Sequence, residues 1–155
     1  MRRKYFVLIP LLTILFIWGN SLMPASISHI LSGYARESIN LLFHSVGDTT
    51  ILSNDSGVRK LAHVIEYGVL GLSLTWLVRD RLEIKLAAVA LSGFLISLID
   101  ETIQLFSTGR SSEIKDIWID FSGFMTGMLV VLCMAGIRKK QERAGVKHEK
   151  VKNNH

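Results

Sequence analysis

Ten side chains able to carry charge, a proton or a directed hydrogen bond fall into three short windows: Lys60, His63, Glu66 and Tyr67; Asp100, Glu101 and Gln104; Arg110, Asp116 and Asp120. A histidine beside carboxylates can act as a general base or acid near neutral pH, so His63, Glu66, Asp100 and Glu101 are the candidate catalytic groups. Lys60 and Arg110 can hold a phosphate or carboxylate, and with Tyr67, Gln104, Asp116 and Asp120 they make a candidate substrate-binding set. Carboxylates with His63 could also take a hard cation. One histidine without a nearby cysteine argues against zinc, so no metal is assigned, and the cofactor is left unknown. There is no nucleophile elbow, phosphate-cradling glycine loop or paired-histidine motif.

Spacing decides which groups can meet. His63 is three residues from both Lys60 and Glu66, Tyr67 is seven from Lys60, and Gln104 is four from Asp100, so on helices each set shares a face. Asp116, Asp120, Gly123 and Gly127 fall on one stripe. Gly123-x-x-x-Gly127 is the small-residue pattern that lets helices approach closely, which should point these carboxylates into a bundle.

The elements that must position them are long apolar blocks. With 49% hydrophobic residues in 155, the chain concentrates Leu, Ile, Val and Phe in four runs: about 5–22, 61–78, 84–106 and 117–137. A helix needs roughly 20 residues to cross the hydrocarbon core. The expected fold is therefore all-α: a polytopic transmembrane helical bundle of four spans. The first run follows Met1-Arg2-Arg3-Lys4 and is long for a signal sequence, so an uncleaved span is expected. Between the first two runs lies a polar connection with a weakly amphipathic middle (Ile39, Leu41, Leu42, Phe43, Val46) suited to a membrane surface. Cys133 lies deep in the last run, where a packed, unreactive thiol is expected.

Residues 138–155 hold seven Lys/Arg against two Glu, which accounts for the whole net charge of +5. A basic segment directly after an apolar helix faces anionic lipid or enforces topology, so this stretch reads as a disordered cytoplasmic tail and not as a nucleic-acid-binding element. Thirteen Lys/Arg precede the first run, separate the second from the third, or follow the fourth, against five in the other two connections. The positive-inside rule then puts both termini in the cytoplasm and the connections 23–60 and 107–116 outside. Because spans alternate in direction, the start of the second, the end of the third and the start of the fourth share one membrane face. That face carries all ten candidate groups.

Those residues also carry a resemblance. Lys60-Leu-Ala-His63-Val-Ile-Glu66-Tyr67, then Asp100-Glu101-Thr-Ile-Gln104, Arg110, Asp116, Gly123 and Gly127 look like the VanZ-like family, and Trp18-Gly-Asn-Ser21-Leu-Met-Pro24 resembles its first-span ending. The likeness covers most of the chain, residues 1–137, apart from the basic tail; the long first outer connection is a feature of this member. It implies a bacterial, multi-pass cell-membrane protein of the cell envelope; the family's namesake is linked to low-level teicoplanin resistance. Where the pattern often has Asn, this chain has Asp120, which adds a charge.

Ionisable groups at membrane depth each cost at least about 2.5 kcal/mol and mark function by default. The expected function is an outer-leaflet polar pocket that binds, and in one version modifies, an anionic lipid-linked or peptidoglycan-related molecule; the expected partners are this ligand and membrane lipids. The competing reading is a non-enzymatic structural or partner-binding protein in which Lys60, His63 and Arg110 neutralise Glu66, Asp100, Glu101 and Asp120 to assemble the helices. A cation-coupled transporter using Asp100 and Glu101 is a third class. Oligomeric state is not assigned.

Overall fold

The computed structural model describes residues 6–45 and 55–152. Among these the chain is all-helical, without strands: α1 Leu8–Leu22, α2 Ala25–Ser45, α3 Asp55–Leu77, a single 3-10 turn at Arg79–Arg81, α4 Leu82–Leu105 and α5 Ile114–Lys152. Pro10 sits in the first turn of α1, where a missing N–H costs no intrahelical bond. The helix ends because Pro24 cannot continue it: Met23 is already extended, as the residue before a proline prefers. The chain then turns by 112° into α2. The expected amphipathic stretch falls in α2 as far as Phe43; Val46 lies outside the described residues.

Two helical segments, Lys85–Leu105 and Ile114–Arg138, are long and apolar enough to cross a membrane, or three if the bent pair α1 and α2 is one span. The other two expected spans are helices that miss this standard for different reasons. With 15 residues, α1 reaches only about 22 Å. At 23 residues α3 is long enough, but its first half carries Arg59, Lys60, His63 and Glu66. The backbone of α5 runs past the apolar block through the basic stretch to Lys152, where disorder was expected. Lys, Arg, Gln, Glu and Ala dominate that stretch and are strong helix formers, so the helix needs no apolar face to continue.

The closest packing is between α3 and α5. A Cβ at Gly123 would lie 2.5 Å from the Val64 carbonyl oxygen, and one at Gly127 would fall on the Gly68 carbonyl, so bare glycine backbone is what brings the two helices together. Packed around this contact are Ile17 of α1, Tyr67 and Leu70 of α3, Val89 of α4, and Phe124 and Met128 of α5. Large apolar side chains such as Leu12, Phe16, Leu91, Leu95 and Leu129 face outward, the pattern of a surface that meets lipid. Cys133 faces outward with them and is not packed.

Candidate functional site

The site is built at one end of the bundle. The carboxyl end of α1, the first half of α3, the end of α4 and the start of α5 meet there, joined by the 107–113 connection. Gly109 adopts φ +77°, which lets that connection turn back sharply. Four hydrogen bonds fasten it to the α1–α2 corner. Ser107 Oγ donates to Ser21 O at 2.7 Å, the Ala25 amide donates to Thr108 O at 3.0 Å, and Arg110 donates through Nε to Met23 O at 3.0 Å and through Nη2 to Asn20 O at 2.9 Å.

A cavity of about 360 Å³ opens between these elements. Of the candidate groups, Lys60, His63, Glu101, Gln104, Arg110, Asp116 and Asp120 line it. Glu66 lines an adjoining cavity of about 210 Å³, which shares His63, Arg59 and Arg110 with the first. Asp100 is fully buried behind His63. Tyr67 is also fully buried, but its seven-residue offset from Lys60 carries it about 10 Å deeper into the apolar core, where its hydroxyl donates to the Ile96 carbonyl at 3.5 Å. Spacing placed Tyr67 on the correct face and could not give its depth.

The polar partners differ from a simple neutralising network. Lys60 pairs with Asp116 across α3 and α5. Glu66 accepts from Asn20 Nδ2 at 3.0 Å. Gln104 Nε2 donates to Asp100 Oδ2 and to Glu101 Oε1, both at 3.2 Å, and Glu101 Oε2 accepts the Glu113 amide at 3.2 Å. His63 Nδ1 lies 3.8 Å from Asp100 Oδ2 and 3.6 Å from Asp120 Oδ1. Arg110, which the structural reading pairs with a protein carboxylate, gives its donors to main-chain carbonyls instead. Burial, and then the neighbouring charge of Arg59, push its pKa down. Glu113, at the cavity rim, is held below the usual carboxylate range by Lys115.

Sequence reasoning passed over Arg59, Asn20 and the rim residues Ser111, Glu113 and Lys115. Arg59 precedes Lys60 and was available as a cationic neighbour on the same helix turn. Asn20 meets Glu66 across 46 positions, and no local pattern signals such a contact.

Chemically, the cavity combines two guanidinium groups and the imidazoles of His29 and His63 with four carboxylates, of which Glu101 and Asp120 are buried. It can bind an anionic group at the rim and hold or move a proton at His63. A family model described as VanZ/LLP1 matches residues 6–135. Neither the curated proteins nor the solved structures give a match.

Proposed function

The chain belongs to the VanZ/LLP1 family, and on that premise we propose that this membrane protein uses its end cavity to bind the anionic group of a lipid-linked or peptidoglycan-related molecule. One observation carries the reading. Arg59 and Arg110 lie together at the cavity, and neither meets a carboxylate among the described residues. Two like charges held side by side in a partly desolvated place favour an anion between them, most readily the planar, bidentate partner that phosphate or carboxylate offers.

In this reading α1 and α3 cross the bilayer beside α4 and α5, giving four spans. Support comes from packing: α1 lies against α3 and α4, and its carboxyl end is tied to the connection that follows α4. The charge bias of the connections puts both termini in the cytoplasm and the cavity at the outer leaflet. A resting place among cell-envelope precursors there is consistent with a contribution to glycopeptide tolerance, teicoplanin included. In the version in which the ligand is also modified, His63 is the proton-transfer group, with Glu66, Asp100 and Glu101 around it.

The test is susceptibility to envelope antibiotics in cells carrying Arg59→Gln, His63→Ala, Asp100→Ala, Glu101→Ala or Arg110→Gln, with protein levels measured in parallel. Loss of the phenotype at constant protein level is expected, most cleanly for Arg59→Gln because Arg59 makes no structural bond among the described residues. An unchanged phenotype in all five variants overturns the proposal. The purely structural reading draws on Lys60–Asp116, Asn20–Glu66 and the double role of Gln104, which tie helices to one another. It predicts that the other four variants lose folded protein and that Arg59→Gln changes nothing.

A further inference from the structure

The geometry points to a divalent-cation site at His63, Asp100 and Asp120, on the floor of the end cavity. One ligand atom from each residue lies within 4.8 Å of the other two. The three come from three different helices, α3, α4 and α5, so the cluster exists only in the assembled bundle. His63 Nδ1 is the nitrogen nearest both carboxylates, at 3.8 Å and 3.6 Å. These separations exceed the 2.7–2.9 Å or so of a charge-assisted hydrogen bond, so the imidazole is not clamped directly to either oxygen. They suit a common ion instead. Donors about 2.1 Å from one centre stand about 3.5 Å apart at the tetrahedral angle. Rotation of a carboxylate closes the widest spacing.

Two further observations point the same way. Asp100 Oδ1 and Asp120 Oδ2 are buried without a hydrogen-bond partner, and the residues are 0% and 2% exposed. Buried carboxylate oxygens left unpaired are costly; these are the second oxygens of the two carboxylates, Asp100 Oδ2 and Asp120 Oδ1 being the ones nearest His63, so a cation removes that cost when the carboxylates turn or bind it through both oxygens. Three carboxylates also crowd His63, namely Asp100, Asp120 and the nearby Glu66, while Lys60 is paired with Asp116, and Arg59 and Arg110 stand at the cavity without an ion pair to them among the described residues.

One nitrogen with two carboxylate oxygens suits Mn²⁺, a hard ion that also accepts imidazole, more than Ca²⁺, which collects six to eight oxygens; Zn²⁺ can compete for the same donors. His63 and Asp120 both line the cavity, so an ion held there faces it with its remaining coordination positions. A phosphate oxygen anchored by Arg59 could take one of them. The ion site stands on its own residues and does not require that ligand.

The experiment uses the full chain, stripped with EDTA, in detergent or in nanodiscs of zwitterionic lipid, with no anionic lipid present. Mn²⁺ is titrated and followed by electron paramagnetic resonance. One bound Mn²⁺ per chain is expected, displaced by Zn²⁺, with pulsed spectra carrying the nitrogen coupling of one imidazole that persists in His29→Gln. His63→Gln and Asp120→Asn should weaken binding at least about tenfold, while Asp80→Asn, at the other end of the bundle, should not. No stoichiometric Mn²⁺ binding, binding without nitrogen coupling, or undiminished binding in folded His63→Gln and Asp120→Asn overturns the inference. If the variants do not fold, the nitrogen coupling in the unaltered chain decides alone. Because no anionic ligand is present, failure here leaves the anion-binding reading untouched, and the reverse also holds.

Discussion

Arg110 illustrates why residue type alone does not define a role. In the structural reading a guanidinium near four carboxylates neutralises one of them, yet its fork is aimed at the carbonyls of Met23 and Asn20 at the end of α1, the latter also accepting the Met23 amide. It thereby caps α1 and fixes the connection that roofs the cavity. Replacing Arg110 with Ala should lower stability in detergent by about 2 kcal/mol, and Arg110→Lys should restore little, because a single ammonium cannot reproduce the two directed bonds. Thermal unfolding of the three proteins checks this; equal melting of Lys and Arg forms would reject the capping role. Tyr67 makes the complementary point, since a polar handle on a site-facing helix was absorbed into the core.

Among the elements, the α3–α5 contact governs the rest, because it sets the distance between His63 and Asp120. Gly127→Leu places a branched side chain on the Gly68 carbonyl and the Leu72 amide, so the helices must separate. The expected cost is the upper end of overpacking, about 3 kcal/mol, visible as loss of folded protein by size-exclusion chromatography. Gly19→Ala in α1 is the internal control. Nothing lies within 4 Å of its added methyl, so a neutral effect or a gain of up to about 1 kcal/mol is expected. If both glycine variants behave alike, close approach is not what Gly127 provides. The 112° corner has a consequence of the same kind: it swings α2 across the cavity end, with His29 reaching the cavity lining and Ile30, Tyr34 and Leu41 left outward.

On the scale of the whole molecule, the cavity is useful only if it opens to the correct side. In a Cys133→Ser background, Ser111→Cys at the rim should react with a membrane-impermeant maleimide in intact cells, and Gln141→Cys in the basic extension should react only after permeabilisation. The opposite pattern would reverse the orientation and move the proposed ligand to the cytoplasmic leaflet. Labelling of both in intact cells would rule out the four-span arrangement.

Several levels of this protein were legible in the sequence because they depend on local chemistry. Runs of apolar residues dictate helices, Pro24 dictates where the first one stops, and three- and four-residue spacings put Lys60, His63 and Glu66 on one face and Gly123 with Gly127 on another. The family was legible from the same residues, and its model covers them. Tertiary structure decided the partners: Lys60 with Asp116, Asn20 with Glu66, Arg110 with backbone, Tyr67 with the core. Such choices depend on helix depth, rotation and the 112° turn, which follow from how bare glycine backbone and bulky side chains fit across distant segments. Periodicity can say which residues face inward, but only packing sets which of them touch.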